Sequence, residues 1–204
     1  MIKDIAKKDK SELTFKDKIF INIYDFASVL ATAVVTIMIL FTFFFRIVFV
    51  DGGSMIPTLN HGDMLVVSAF DSKVAYGQVV IVTQPNWFEN AIVKRVIATE
   101  NQVVDIKFET GEVYVDGVLL DEPYINNLTL NPEDMTGPVV VPEGHVFVMG
   151  DNRQGSTDSR SNKIGFIREE YILGVVKYKV LNQQDLPNGA KATEVYSLSD
   201  WKVE

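Results

Sequence analysis

The sequence contains no cysteine, and its only histidines are His61 and His145. Absence of cysteine means that no disulfide holds the fold, which is compatible with either an extracytoplasmic or a cytosolic location. Each histidine lies among turn-forming residues, which is typical of solvated loops and disfavours a Ser-His-Asp triad. Basic residues are also scarce: 19 Lys and Arg against 27 Asp and Glu give a net charge of −8, which argues against nucleic acid as a partner.

Residues 26–45 form an apolar run, FASVLATAVVTIMILFTFFF, without one charged side chain. At 1.5 Å per residue the run matches the roughly 30 Å of a bilayer's hydrocarbon core, so it predicts one transmembrane helix. A buried core helix rarely runs this far without a charge, and a cleavable signal peptide would have a shorter apolar region followed by a small-x-small site. We therefore expect residues 1–25 to form an N-terminal segment and residues 46–204 a separate domain.

Lysine is distributed unequally on the two sides of this run. The first 18 residues contain six lysines, whereas no Lys or Arg occurs between Arg46 and Lys73. Positive charge is retained on the cytoplasmic side of membranes, so residues 1–25 are predicted in the cytoplasm and residues 46–204 outside. The sequence thus predicts a single-pass, type II cell-membrane protein with the lipid bilayer as a partner.

Beyond residue 60 the sequence consists of short β-branched and apolar runs separated by turn residues, with no long helical period. This pattern predicts a mainly β domain of antiparallel strands. The predicted strands are 64–67, 78–82, 91–98, 102–108, 113–115, 118–120, 139–141, 146–149 and 173–181. Asp116-Gly117 predicts a tight hairpin, and loop signals nearby predict an inserted β subdomain at about residues 100–143.

Ser54 is a candidate nucleophile a few residues beyond the apolar run, in the segment DGGSMIPTL of residues 51–59. Gly52 and Gly53 lack side chains that would block the approach of an extended peptide. An ordinary Gly-Gly-Ser turn is the alternative interpretation. The nucleophile elbow of α/β-hydrolases is not matched, because Ile56 stands where that elbow needs glycine.

A neutral lysine can activate a serine in place of histidine. In an extended strand Ile92 and Val96 flank Lys94 on one face, where they would desolvate its amine and lower its pKa. Hydrophobic residues flank Arg95 in the same way on the opposite face, so the pattern does not decide which cation points inward. A surface lysine on an edge strand also fits.

A dense polar block, GDNRQGSTDSR, covers residues 150–160. Its acidic and arginine side chains could form hydrogen-bonded ion pairs that hold a loop rigid; they are Asp151, Arg153, Asp158 and Arg160. A calcium loop is disfavoured because Arg153 and Gln154 stand where acidic ligands are needed. No metal and no organic cofactor is predicted.

Three blocks in order, DGGSMIPTL, VKRVI (residues 93–97) and GDNRQGSTDSR, resemble those of the type I signal peptidases, in particular the Gram-positive serine-lysine dyad enzymes. The resemblance covers nearly the whole chain. It implies an antiparallel β-sheet peptidase fold of the signal peptidase and SOS-repressor type. It also implies a membrane-bound serine endopeptidase that cleaves signal peptides from secreted preproteins. Carried over by position, Ser54 is the nucleophile and Lys94 the general base.

The resemblance also implies roles for residues around the dyad. The Ser156 hydroxyl would orient the Lys94 amine, and the supporting residues would be Asp158, Arg160, Asp151 and Arg95. Met55 and Ile56 follow the nucleophile and are expected to line shallow apolar pockets for small substrate side chains.

Two positions depart from the family's pattern. Gly155 replaces an Asn of many members, which bears on local loop rigidity. Gly52 stands where some members supply a hydroxyl, so the oxyanion would depend on the Ser54 N–H.

Three other functions share parts of this sequence pattern. A pilin chaperone or assembly factor that keeps the fold without the chemistry is countered by the presence of both Ser54 and Lys94. A self-cleaving repressor of the SOS type would need a DNA-binding helix-turn-helix where this chain has its apolar run. A signal peptidase dedicated to one pilus cluster shares every feature above and stays open.

Overall fold

The computed structural model describes residues 14–69, 73–83, 91–180 and 195–197. The chain separates into two compact units, Met1–Phe44 and Phe45–Glu204. Among the described residues, the first unit contains one long helix and the second contains the strands.

Helix α1 spans Phe15–Phe44. Within the described residues it is the one helix long and apolar enough to cross a membrane, most clearly over Lys18–Ile39, and none of that stretch is buried inside the protein. The hydroxyls of Thr32, Thr36 and Thr42 each donate to the carbonyl four residues earlier, which satisfies the donors that an apolar surrounding could not.

The observed helix differs from the predicted 26–45 at both ends. It begins earlier, because polar and charged residues can continue a helix, whereas the apolar run that predicted it stops at Asp25. It ends one residue earlier, because Phe45 pairs with Ser68 as the first residue of a strand.

The predicted mainly β, antiparallel architecture is confirmed, because every strand pair is antiparallel. The larger sheet consists of β1 (Phe45–Phe49), β2 (Met64–Ser68), β3 (Val79–Val82), β4 (Ile92–Ala98), β9 (His145–Met149), β10 (Ile167–Arg168), β11 (Ile172–Val180) and β12 (Val195–Ser197). These strands have the order β1-β2-β11-β3-β4-β9-β10, and β12 pairs with β11. A short 3-10 helix, Glu169–Tyr171, connects β10 to β11. The sequence had not predicted β1, β10 or β12, and residue 181 of the predicted last strand lies outside the described residues.

A second sheet has the order β7-β6-β5-β8. It consists of β5 (Val103–Lys107), β6 (Glu112–Val115), β7 (Val118–Leu119) and β8 (Val139–Val140). The predicted hairpin joins β6 to β7, with positive φ at Asp116 (51°) and Gly117 (78°). These strands fall within the range 100–143, whose status as an inserted subdomain remains a prediction.

Strand β4 is central to the arrangement because it takes part in two apolar cores. Ile97 and Ala98 pack in a cluster with residues of the second sheet, including Val104 and Val113. Val96 packs in another cluster within the larger sheet. The catalytic candidates Lys94 and Arg95 therefore lie on a strand with packing on both faces, which limits their movement.

Candidate active site

The loop that carries Ser54 connects β1 to β2 and is anchored by apolar side chains on either side of the serine. Val50, Met55 and Leu59 are buried in one cluster with residues of β2 and β3. The Leu59 N–H donates to the Met55 carbonyl at 2.8 Å, which closes a turn directly after the serine. Ser54 itself stays half-buried, so it is held in place and still accessible.

Lys94 meets Ser54 from β4. Its Nζ lies 2.8 Å from Ser54 Oγ and 3.1 Å from the Val93 carbonyl oxygen, and the residue is only 4% exposed. Its cross-strand partner on β3 is Val80, which is fully buried. The sequence paired Ser54 with Lys94 only through the family resemblance. In the fold the two side chains are in hydrogen-bond contact.

Burial lowers the pKa of Lys94 from 10.5 to about 8. Desolvation is the largest cause, because the apolar surroundings disfavour the ammonium form. The negative charges of Asp158 and Asp151 act in the opposite direction and keep the pKa from falling further. The neutral amine that a general base requires is therefore far more populated near pH 8 than it would be for an exposed lysine.

Arg95 is also buried, and its guanidinium has a different partner. It donates to both carboxylate oxygens of Asp151, with Nε at 2.8 Å from Oδ1 and Nη2 at 2.6 Å from Oδ2. It also donates to the Gly77 carbonyl and lies 3.9 Å from the centroid of the Tyr124 ring. The question that periodicity left open is thus resolved: both cations are buried, but only Lys94 contacts Ser54.

The polar block of residues 150–160 holds the serine loop through its first residues. Asn152 donates from its backbone N–H to the Ser54 carbonyl and from its Nδ2 to the Gly53 carbonyl, both at 3.0 Å. The Thr58 hydroxyl donates to Asp151 Oδ2. Sequence reasoning gave no role to Asn152 or Thr58, although both lie in the quoted blocks. The Asn152 contacts go to backbone carbonyls, which leave no trace in the sequence, and the Thr58 contact joins two residues far apart in the chain.

Asp158 and Arg160 form a buried ion pair, with Arg160 Nε at 2.8 Å from Asp158 Oδ1. Asp158 also accepts the Gly150 N–H at 3.0 Å, so the pair fixes the backbone at the start of the block.

Arg153 does not form an ion pair within the block as expected. Its guanidinium reaches Glu122 and Thr129 instead, because the loop after β7 comes close to it in the fold.

Ser156 does not make the expected hydrogen bond to Lys94. Its hydroxyl is buried and has no hydrogen-bond partner within the described part of the chain, whereas the Lys94 amine bonds to Ser54 and Val93. Ser156 nevertheless lies close to the serine loop, because a Cβ on Gly150 would overlap both Ser156 Oγ and the Ser54 carbonyl oxygen. An orienting role for this hydroxyl remains a prediction.

A groove of about 350 Å³ runs along Ser54 and Lys94. The residues that line it come from the end of β1, the serine loop, and strands β3 and β4; among them are Val48, Met55, Ile81 and Val93. Met55 is thus at the groove as expected. Ile56 is not among the lining residues, and its side chain instead lies against Gly53.

Neither histidine contacts the serine. His61 is exposed, where its Nδ1 accepts the Gly52 N–H at 3.3 Å and lies 3.2 Å from Asp51. His145 Nδ1 lies 2.8 Å from the Glu143 carbonyl. A Ser-His-Asp triad is therefore not assembled.

A half-buried serine beside a desolvated lysine, at the edge of a groove, is the arrangement that a serine hydrolase without a catalytic histidine requires. The sequence matches the family model described as signal peptidase, peptidase S26, over residues 23–181, and the chain belongs to this family.

Several curated relatives resemble the chain over most of its length. Signal peptidase I of Bacillus amyloliquefaciens is 34% identical, over 84% of this chain and 92% of the relative. Signal peptidase I T of Bacillus subtilis strain 168 is 33% identical with the same coverage. Probable signal peptidase I-1 of Synechocystis is 38% identical over 62% of this chain and 66% of the relative. A solved signal peptidase I from Enterococcus faecalis V583 is 29% identical, covering 51% of this chain and 97% of that structure with a TM-score of 0.42.

The resemblance to the type I signal peptidases is thereby confirmed, and the chain is a hydrolase of the serine endopeptidase class. The non-catalytic chaperone alternative is not favoured by these relatives.

Gly150 gives a test of how tightly the two loops are packed. In Gly150→Ala the new methyl group would overlap Ser156 and the Ser54 carbonyl, so we expect a loss of about 1–3 kcal/mol in the free energy of unfolding. Displacement of Ser54 should also lower the cleavage rate by about 10- to 100-fold. Denaturant unfolding and a peptide cleavage assay measure both effects.

The matched control is Gly137→Ala, where an added Cβ meets nothing within 4 Å. Both its stability and its cleavage rate should stay near the wild-type values. Wild-type behaviour of Gly150→Ala would contradict the close packing described above.

Proposed function

We propose that this protein is a membrane-bound serine endopeptidase that removes signal peptides from exported preproteins, with Ser54 as the nucleophile and Lys94 as the general base. The observation that carries the proposal is the 2.8 Å contact between Ser54 Oγ and the buried Lys94 Nζ. It is supported by membership in the signal peptidase family over residues 23–181.

In the proposed reaction the neutral Lys94 amine accepts the Ser54 hydroxyl proton as Oγ attacks the scissile carbonyl. The resulting ammonium then gives its proton to the amine of the leaving mature chain, which leaves an acyl group on Ser54. A water molecule that loses a proton to Lys94 hydrolyses this ester and regenerates the serine. The pKa of about 8 suits both steps, because the amine can accept and return a proton near neutral pH.

The oxyanion formed in each step requires hydrogen-bond donors. The Ser54 N–H makes no hydrogen bond within the described residues, so it is available for this role. The Gly52 N–H is already directed to His61 Nδ1. We therefore assign the oxyanion contact to Ser54 and none to Gly52.

The residues around the dyad act as supports in this proposal. Asp151 holds Arg95 and Thr58, and the Asp158–Arg160 pair holds the Gly150 backbone. Their burial keeps water out of the network, so that its geometry is retained during turnover.

The substrate proposed for the groove is an extended peptide with small side chains near the cleaved bond. Met55 and Val93 give the groove apolar walls beside Ser54. Signal peptides present a small-x-small site directly after an apolar segment. A shallow apolar groove accepts such residues without needing charged contacts.

Attachment to the lipid bilayer is proposed from two features. Helix α1 has the length and composition of a membrane span. Strand β1, which follows it in the sequence, exposes Phe45, Ile47 and Phe49 by 40%, 65% and 68%. Alternate residues of a strand share one face, so these side chains form an apolar surface suited to lipid contact.

The proposed orientation places the N-terminus in the cytoplasm and residues 46–204 outside, because the lysines precede the apolar run. Protease added to intact cells with permeable walls should therefore remove a carboxyl-terminal tag and spare an amino-terminal one. Cells lysed before treatment, as the control, should lose both tags. Protection of the carboxyl-terminal tag in intact cells would refute this orientation.

Cleavage itself is tested by incubating the detergent-solubilised full chain with a labelled preprotein. The wild type should release the signal peptide, and Ser54→Ala should show no cleavage, because Ser54 is the only nucleophile in hydrogen-bond contact with Lys94 among the described residues. His145→Ala is the matched control and should retain most activity, since the His145 ring lies against the Glu143 carbonyl and does not contact Ser54. Full activity of Ser54→Ala, or its loss in a folded His145→Ala, would rule out the dyad.

The base is tested by the pH dependence of kcat/KM. Below the pKa of Lys94 the amine is charged and cannot accept a proton, so kcat/KM should rise with pH and level off above about 8. Lys94→Arg keeps the charge but cannot deprotonate in this range, so it should be as inactive as Lys94→Met. Near wild-type cleavage by a folded Lys94→Arg would exclude lysine as the base.

A further inference from the structure

A second buried lysine lies below the serine loop and takes no part in the reaction proposed above. Lys179 of β11 forms an ion pair with Asp63 at the end of the loop, with Nζ at 2.7 Å from Oδ2. The two residues are 1% and 0% exposed. Each would be costly to bury alone, so the pair exists only while both charges are held together.

Asp63 closes the base of the serine loop. Its backbone carbonyl accepts the Val50 N–H at 2.9 Å, and its Oδ2 accepts the Asn60 N–H at 2.7 Å. The Gly62 N–H donates back to the Val50 carbonyl at 2.9 Å. The start of the loop and the turn after Ser54 are thus both tied to this one residue.

Lys179 extends the same network toward the dyad. Its Nζ lies 3.4 Å from the Thr58 carbonyl oxygen. The Thr58 hydroxyl donates to Asp151, and Asp151 holds Arg95, the neighbour of Lys94 on β4. Polar contacts therefore run without a gap from β11, under the turn, to the strand that carries the proposed base.

Stability alone gives little reason for this arrangement. The desolvation of a buried ion pair offsets much of its Coulomb attraction, and apolar residues of similar size often stabilise a core as well or better. Asp63 Oδ1 is buried and has no hydrogen-bond partner in the described ranges, which adds a further cost. The neighbouring buried positions of β11 are valines, including Val175 and Val176.

We infer that Lys179 and Asp63 are positioning residues, which hold the turn of residues 55–60 so that Ser54 Oγ stays within reach of the Lys94 amine. This inference rests on the proposed function of the dyad. Neither residue contacts the reacting atoms, so their effect should appear in kcat and leave KM nearly unchanged.

The test compares the full chain in detergent with the double variant Lys179→Met, Asp63→Asn. Asparagine keeps an oxygen that can accept the Asn60 N–H, so the double variant removes the charges and the Thr58 contact but preserves the loop closure. We expect kcat to fall about 10- to 100-fold on a signal-peptide substrate, with KM within about twofold. The single variant Lys179→Arg, which keeps a buried cation and its hydrogen-bond donors beside Asp63, should retain most of the wild-type kcat.

Val104→Ala is the control for general destabilisation, because Val104 is fully buried in the second sheet. It should lower the melting temperature and leave kcat unchanged. Wild-type kcat in a folded double variant would overturn the inference. If the double variant does not fold, Lys179→Gln, Asp63→Asn, which also leaves no buried charge unpaired, decides by the same measure. Unfolding of both double variants would assign the pair to stability and overturn the inference as well.

The reactions of the wild type and Ser54→Ala distinguish failure of the proposed function from failure of the positioning inference. If the wild type does not cleave, amide hydrogen exchange still tests the inference. Exchange at Leu59, whose N–H closes the turn after Ser54, should be at least about tenfold faster in the double variant than in Val104→Ala, because loss of the Lys179–Thr58 contact releases the turn locally. Equal exchange in the two variants would count against a positioning role.

Discussion

The structure depends on keeping a lysine amine dry beside a serine hydroxyl. A solvated lysine is charged at neutral pH and cannot accept a proton, so the apolar surroundings of Lys94 are a chemical requirement as well as a matter of packing. Burial lowers its pKa to about 8, and the contact with Ser54 Oγ directs the amine to its proposed use. The position of β4 within the larger sheet, between β3 and β9, provides this environment.

A desolvated base is useful only if the nucleophile stays in contact with it, and here the nucleophile is on a loop. Loops are ordinarily mobile, yet this one is held from two sides. Asn152 binds its backbone from the polar block, and Asp63 with Lys179 closes its base. The two loops pack so closely at Gly150 that there is no space for a Cβ atom. Ser54 can therefore be both accessible and precisely placed.

The buried arginines of this site each form an ion pair with a carboxylate. Arg95 with Asp151, Arg153 with Glu122, and Arg160 with Asp158 each satisfy an arginine that could not be buried alone. These pairs join the serine loop, the polar block and the loop after β7 into one network. Lys94 differs from them, because no carboxylate of the described residues forms an ion pair with it, and desolvation lowers its pKa.

The sequence by itself determined the class of the molecule: an apolar run, alternating strand patterns and three spaced polar blocks indicated a mainly β peptidase, and the resemblance of the blocks to the type I signal peptidases made Ser54 and Lys94 the catalytic candidates. Those signals are local, so they can be read without knowing which strands are neighbours. The partners of the buried charged side chains were decided by the tertiary structure alone, because Arg153 with Glu122 and Lys179 with Asp63 are far apart in the chain. The same is true of the Ser156 hydroxyl, which has no hydrogen-bond partner among the described residues. Periodicity showed that Lys94 and Arg95 occupy opposite faces of a strand. Only the packing of both faces decided which of them meets the serine, because each face is apolar and a strand pattern contains no information about what lies above it.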